Sequence, residues 1–157
     1  MKIKLLAIGK TDDKNLLLLI DVYQKRLQHY IKFELEVIPD IKNVKNLSEV
    51  QQKEKEGNLI LNKLQNTDQL VLLDDKGKDF TSIEFSKYLQ KKMNSGIKQL
   101  VLVIGGPYGF SDAVYKKANG KLSLSKMTFS HQMIRLFIVE QLYRGFTILK
   151  NEPYHHE

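Results

Sequence analysis

The chain has 157 residues, of which 42% are hydrophobic and 27% are charged, and we expect one globular domain spanning residues 1–157. The absence of cysteine excludes disulfide bonds, thiolate metal sites and a cysteine nucleophile, and it favours a cytoplasmic protein. No apolar run has the length of a membrane span, so we expect no membrane partner. The formal net charge of +7 favours polyanionic partners, although many basic proteins bind no nucleic acid.

Strand and helix patterns alternate along the chain. Strands are predicted where short apolar or alternating runs occur, at residues 3–8, 33–37, 70–73, 100–104 and 121–125. Helices are predicted between and after them, at residues 14–30, 48–65 and 82–93, for about two turns after Ser111, and at 131–150. This order predicts an α/β fold, with an open, mostly parallel sheet that carries helices on both faces.

Three polar segments are interpreted as surface. Residues 40–47 are rich in Asn and Lys and predict a loop, and residues 74–78 predict a turn-rich loop after a buried strand. The run QQKEKEG at residues 51–57 is nearly all polar, which is typical of the solvated face of a helix. The alternative is that this run forms part of a surface facing RNA.

Gly105 and Gly106 directly follow the continuous apolar strand, and we interpret them as a binding loop. Glycine permits positive φ and has no Cβ, so the backbone can contact a ligand. This motif is weak alone, because many such loops only make tight turns. Ligands of parallel sheets bind beyond the carboxyl ends of the strands, so Leu73 and residues 124–129 are further candidates. The pattern does not by itself make these segments neighbours.

A larger combination of motifs is more specific. The segments IGGPYG, LSLSKMTFSHQMIRLFIVEQLYRGF and the terminal PYHH occur in this order in a short chain. On these residues the sequence resembles the RlmH family, which are SPOUT-class methyltransferases acting on ribosomal RNA. The resemblance covers essentially the full length. It implies an α/β domain with a C-terminal deep trefoil knot, whose knot and cofactor region spans about residues 98–157, and a homodimer formed through the last helix.

The resemblance also implies a reaction, which is methylation of N3 of a pseudouridine in 23S ribosomal RNA within the assembled ribosome. The implied cofactor is S-adenosylmethionine, and the matching positions are Leu73, Gly105, Leu124, Ser125, Lys126, Met127, Thr128 and Phe129. The catalytic candidates are His155 as acceptor of the N3 proton, Tyr154, which either orients His155 or contacts the base, and Arg144. Arg144 either faces RNA or forms a structural pair with Glu140 one turn earlier. We expect no metal site and no DNA partner.

The last helix gives two further expectations. Its apolar residues occupy more than one face of the helix, so it must be covered on more than one side, either by the core of its own chain or by a second copy. Arg135 and Arg144 are nine residues apart, which places them on opposite helix faces. His131 is interpreted as a structural residue at the helix N-terminus rather than a ligand.

Three positions depart from the family pattern. Tyr108 stands in the glycine loop, Ser130 precedes His131, and His156 stands where the family commonly has Arg or Lys, which weakens a phosphate contact there. Two alternatives of other classes therefore remain open. One is a non-catalytic ribosome-binding or RNA-binding dimer with the same fold, and the other is an α/β enzyme that binds a different nucleotide at Gly105 and Gly106.

Overall fold

The computed structural model describes residues 1–156, so Glu157, the last residue of the expected domain, lies outside them. The strands are β1 Lys2–Ile8, β2 Phe33–Ile38, β3 Asp68–Asp79, β4 Gln99–Ile104 and β5 Gly120–Ser123. The helices are α1 Lys14–Leu27, α2 Glu49–Leu61, α3 Ser82–Asn94, α4 Asp112–Lys117 and α5 His131–Leu149, with a short 3-10 turn at Val44–Asn46. All strand pairs are parallel and the sheet order is β2-β1-β4-β3-β5.

Side-chain caps fix where the helices begin. A side-chain oxygen of the residue before each helix accepts a hydrogen bond from a backbone N–H of the first turn, at Asp13, Ser48, Thr81, Ser111 and Ser130. Such caps satisfy N–H groups that have no partner within the helix. The predicted helix starts are therefore confirmed within one residue, whereas α1 and α2 end three and four residues earlier than predicted.

Strand β4 lies at the centre of the sheet and divides the core into two layers. All six of its residues are buried. Leu100, Leu102 and Ile104 pack with residues of α1, α3 and α5, while Val101 and Val103 pack with residues of α2 and α4. Successive side chains of a strand point to opposite faces, so one apolar run supports both layers. The α/β fold with helices on both faces is confirmed.

Strand β3 is longer than predicted, because the loop expected at residues 74–78 belongs to it. Leu122 of β5 is the partner of Leu73 and, after a register shift, also of Lys78. At Gly77 an added Cβ would lie 2.5 Å from the backbone of Leu122, so β5 crosses β3 where there is no side chain. The turn-forming composition of this segment is outweighed by pairing with a strand distant in sequence. The strand predicted at 121–125 ends at Ser123, so Leu124 and Ser125 lie beyond it.

Within residues 1–156, none of the helices has both the length and the apolar character required to cross a membrane. Helix α5, the longest, instead packs between α1 and α3 over the sheet. Gly145 is part of this packing, since an added Cβ would approach Leu89 of α3 to 2.9 Å. The last helix is thus covered on one side by its own chain.

Gly77→Ala should destabilise the fold, because the new methyl group has to push the backbone of β5 away from β3. We expect a loss of about 2 kcal/mol in the free energy of unfolding, in the range for overpacked sites. Chemical denaturation followed by circular dichroism measures it. Gly120→Ala is the matched control, since nothing lies within 4 Å of an added Cβ there. Equal stability of the two variants would contradict the close crossing.

Candidate functional site

A cavity of about 430 Å³ lies at the carboxyl ends of β4 and β5 and beside the middle of β3, where its register against β5 shifts. Its walls come from residues 73–76, 104–110, 122–125 and 127–129, with His131 and Ile134 of α5 and Tyr115 of α4. The structure therefore brings together the three segments that the sequence alone left apart. Seven of the eight predicted cofactor positions line the cavity, namely Leu73, Gly105, Leu124, Ser125, Met127, Thr128 and Phe129. The eighth, Lys126, is exposed and is not part of the lining.

The depth and the mouth of the cavity differ in character. Ile104 and Leu122 are buried at its base, whereas Met127 is 74% exposed at its mouth. Phe129 packs edge-on against Phe137 of α5, with 4.9 Å between ring centroids. Apolar side chains combined with exposed backbone groups form a site for a flat, partly polar ligand.

The glycine turn after β4 is tight, and its glycines serve different needs. Gly109 has φ of +80° and donates its N–H to the carbonyl of Gly106 at 3.1 Å. Gly105 and Gly106 have ordinary φ but no space for a side chain, since a Cβ on Gly105 would lie 3.0 Å from the Phe110 ring. The lack of side-chain space at Gly105 and Gly106 agrees with the expected close approach of their backbone to neighbouring groups. The positive φ that was also expected there occurs at Gly109 instead.

The polar run of α2 is solvated only in part, and the sequence interpretation is wrong for its last two residues, Glu56 and Gly57, which are buried. Glu56 is 3% exposed, its carboxyl lies against Gly106, and it is not among the residues that line the cavity. Gln52 donates to its Oε1 at 2.8 Å. The polar composition of the run concealed that its C-terminal end faces inward. Glu56 is a residue of the site that sequence reasoning missed.

Asp74 and Tyr115 form a polar pair at the rim of the cavity. The Tyr115 hydroxyl donates to Asp74 Oδ2 at 2.5 Å, and the Lys76 N–H donates to Oδ1 at 2.8 Å. Burial alone would raise the pKa of Asp74, but these hydrogen bonds outweigh it and the pKa is lowered. Burial and the bond to Asp74 raise the pKa of Tyr115 to about 12. The rim therefore carries a fixed negative charge beside a hydroxyl that stays protonated.

The predicted catalytic residues form a separate network, here called the tail network, between α5 and the C-terminal tail at residues 150–156, in contact with Tyr23 of α1. Glu140 Oε1 accepts hydrogen bonds from Arg144 Nη2 at 2.6 Å, from Arg144 Nε at 3.1 Å and from the Tyr154 hydroxyl at 3.0 Å. Arg144 Nη1 lies 3.3 Å from His155 Nδ1, and the Tyr154 hydroxyl lies 3.2 Å from that of Tyr23. The predicted pairing of Arg144 with Glu140 is confirmed. Burial is the largest cause of the raised pKa of Tyr154, and the contacts with Tyr23 and Glu140 raise this pKa further.

The tail network and the cavity are at opposite ends of α5. His131 lines the cavity, and Arg144 holds the tail. A helix rises about 1.5 Å per residue, so these two residues lie roughly 20 Å apart along its axis. The predicted catalytic and cofactor residues therefore do not meet within one chain.

Comparison with known proteins identifies the family. A sequence model described as "Predicted SPOUT methyltransferase" matches residues 1–155. The chain belongs to the SPOUT methyltransferase family. It is 76% and 74% identical, over 157 residues and all of both chains, to proteins of Flavobacterium psychrophilum and Flavobacterium johnsoniae named Ribosomal RNA large subunit methyltransferase H. The protein of that name in Porphyromonas gingivalis is 55% identical over the same length. The resemblance to the RlmH family is confirmed.

Arg135 fixes α5 of this SPOUT methyltransferase to β1. Its side chain is 1% exposed and donates to the carbonyl of Ile8 at 2.7 Å and to the Thr11 hydroxyl at 2.9 Å. Arg144, by contrast, is half-buried beside the tail. The expected placement of the two arginines on opposite helix faces is confirmed. Among residues 1–156, no group of three or more His, Cys, Asp or Glu side chains is arranged to hold a metal ion.

Tyr154→Phe should loosen the tail of this SPOUT methyltransferase without disturbing its core. The ring keeps its contact with Tyr143, whose centroid is 4.7 Å away, but the bonds to Glu140 and Tyr23 are lost. A hydrogen bond to a charged group is worth about 1.5 kcal/mol or more, so we expect amide exchange at residues 152–156 to accelerate about tenfold. Hydrogen exchange with mass spectrometry measures it, and Tyr115→Phe is the control hydroxyl deletion. Unchanged exchange would contradict the anchoring role.

Proposed function

We propose that this chain, as a cytoplasmic homodimer, transfers a methyl group from S-adenosylmethionine to N3 of a pseudouridine in 23S ribosomal RNA of the assembled ribosome. The observation that carries the proposal is the convergence of seven predicted cofactor positions on one cavity. The full-length similarity to relatives named Ribosomal RNA large subunit methyltransferase H supports the substrate class.

The cavity fits S-adenosylmethionine in size and in chemistry. Its volume of about 430 Å³ falls within the range of small-molecule sites. Leu73, Leu124 and Met127 offer apolar surface for adenine, while the backbone of the glycine turn and of residues 124–129 offers hydrogen-bonding groups. The bound cofactor supplies the methyl group, already activated on a sulfonium sulfur. The protein then has to orient the acceptor and take away one proton.

His155 is the residue that takes the N3 proton in this proposal, and its contacts specify the atom. Arginine has no acceptor, so Arg144 Nη1 donates to His155 Nδ1, and the neutral ring carries its own proton on Nε2. Nδ1 is thus the atom that can accept a proton. It becomes free when Arg144 turns toward an RNA phosphate or the target base, so the arrival of RNA releases the base.

The separation along α5 supports a composite site built by two chains. In a twofold dimer with antiparallel α5 helices, the tail end of one helix lies beside the cavity end of the other. Helix α1, packed beside α5, exposes an apolar face that a second copy can cover, comprising Leu17, Leu18, Leu19 and Val22. Leu18 is 65% exposed. In such a dimer the tail of one chain reaches the cavity of its partner. The separation between tail and cavity within one chain then no longer prevents them from forming one site.

We also propose that the region at about residues 98–157 forms the deep trefoil knot implied by the family. The close crossing of β5 over Gly77 supports a chain path in which the C-terminal part is threaded tightly against β3. In this arrangement residues 124–129 and the glycine turn are held by backbone contacts on several sides. A cofactor site with so few charged side chains then depends on fixed backbone positions.

Methyl transfer from labelled S-adenosylmethionine to ribosomes lacking the modification tests the reaction. We expect label on pseudouridine N3, located by mass mapping, and a loss of about 100-fold in kcat for His155→Ala because general bases typically contribute that much. His29→Ala is the control, since that histidine is exposed on the turn after α1. Tight cofactor binding without transfer would favour the non-catalytic ribosome-binding dimer, and binding of a nucleotide without methionine would favour the other α/β enzyme.

Mixing two inactive variants tests the composite site. His155→Ala removes the base, and Thr128→Trp blocks the cavity from an exposed position on its rim. After exchange of subunits, half of the dimers are mixed and each has one intact site, so we expect about a quarter of wild-type activity. Each variant alone should remain inactive. No recovery, with subunit exchange verified by mass spectrometry, would place the base and cavity of each site in one chain.

A further inference from the structure

We propose that Glu56 of α2 is a positioning residue that holds the Gly105–Gly109 turn in the place where it shapes the cofactor cavity. This inference rests on the proposed cofactor, but not on the RNA substrate. Glu56 does not line the cavity and does not touch the reacting groups. It acts through the glycine turn, which it supports from behind.

The burial of Glu56 is costly and calls for a reason. Its Oε2 is buried and has no hydrogen-bond partner among the described residues, while its Oε1 accepts only from Gln52. An incompletely paired carboxyl in a protein interior lowers stability. A methionine or leucine would fill this space at lower cost. Such groups occur where a role other than stability retains them.

The contact with Gly106 identifies what Glu56 supports. An added Cβ on Gly106 would lie 2.2 Å from Glu56 Oε2, so the carboxyl occupies the space of a missing side chain. At the next residue the roles are reversed, since a Cβ on Gly57 would lie 2.2 Å from the Ser111 hydroxyl oxygen, so Ser111 packs directly against the α2 backbone. Ser111 in turn caps α4. Two consecutive residues of α2 therefore fix both ends of the segment 106–111.

The opposite surface of the same turn faces the cavity. Gly105, Gly106, Pro107 and Tyr108 all contribute to its wall. Gly105 and Gly106 have no side chain that can adjust its rotamer, so the position of this part of the wall is set by what packs against its backbone. Removal of the Glu56 carboxyl leaves a space behind Gly106 into which the turn can retreat. The wall of the cofactor site then moves without the loss of any group that contacts the ligand.

The ionisation of Glu56 makes the contribution of its carboxyl to stability depend on pH. Burial raises the pKa of Glu56 above its usual 4.5, and the nearby charge of Asp40 adds to this, while the Gln52 hydrogen bond and the charge of His131 lower it. Because the folded-state pKa is raised, the contribution of the neutral carboxyl is complete below 4.5 and is lost as pH rises through the folded-state value. The free energy of unfolding should therefore fall with rising pH over this interval, and Glu56→Gln should abolish this part of the dependence.

Calorimetric binding of S-adenosylmethionine and steady-state methyl transfer test the proposal on the full chain. Glu56→Gln keeps the shape and the neutral form, so we expect a dissociation constant within about twofold of wild type. Glu56→Ala should raise the dissociation constant and KM for the cofactor about tenfold, with little change in kcat. Glu54→Ala, which alters an exposed acid of the same helix, is the matched control. Unchanged cofactor affinity in Glu56→Ala, or a loss confined to kcat, would overturn the proposal.

Amide exchange across residues 105–111 in the ligand-free protein keeps this test separate from the reaction. We expect faster exchange in Glu56→Ala than in wild type, Glu56→Gln or Glu54→Ala. If wild type binds the cofactor but methylates no RNA, the proposed reaction fails while the affinity comparison still decides the role of Glu56. If wild type does not bind the cofactor, the proposed cofactor and this inference both fail. Unchanged exchange in Glu56→Ala overturns the support of the turn.

Discussion

The turn after β4 is confined from two sides, and the rest of the candidate site depends on this confinement. The Phe110 ring occupies the space of a Gly105 side chain, and the Glu56 carboxyl occupies that of a Gly106 side chain. Because protein interiors are close-packed, neither glycine can gain a side chain unless a neighbour moves. The buried strand β4 carries the turn to this position, and α2 holds it there. The remaining free surface of the turn becomes one wall of the cavity.

The tail is held by a different kind of force. Its hydrogen bonds converge on Glu140, which is half-buried, and a further contact joins the Tyr30 hydroxyl to Glu152. Bonds at partly solvated groups are individually weak, although a shared acceptor makes them act together. Such a network orders the tail and still permits exchange of partners. The cavity wall is thus built from packing, whereas the tail is held by exchangeable polar contacts, as the proposed release of His155 would require.

Local signals in the sequence predicted most of the fold. The capping residues Ser48, Thr81 and Ser130 mark helix starts by chemistry that acts within one turn, and the apolar run of β4 marks a doubly covered strand. The extension of β3 was missed because it depends on β5, some forty residues later in the chain. The residues around Gly77 have the composition of a turn. They belong to the sheet because β5 pairs with this part of β3.

The candidate site was predictable to a similar extent and for a similar reason. Family motifs placed the cavity residues, but Glu56 stands in a polar run and has no motif, and its burial follows from how α2 meets the glycine turn. Lys126 shows the reverse case, since it lies inside the motif while its side chain is exposed. A motif gives the path of the backbone past a site. Which side chains point into it depends on packing that the linear pattern does not contain.

Helix α5 sets the geometry that any mechanism must satisfy. Arg135 pins one end of it to the carboxyl end of β1, and Arg144 organises the tail near the other end, on the opposite face. A helix is rigid over this length, so motion within one chain cannot close the roughly 20 Å between His131 and Arg144. In the proposed mechanism, the cofactor cavity belongs to one chain and the proton acceptor beside it would come from a second. Symmetry would then supply the substrate-facing group that one chain of 157 residues does not bring to its own cavity.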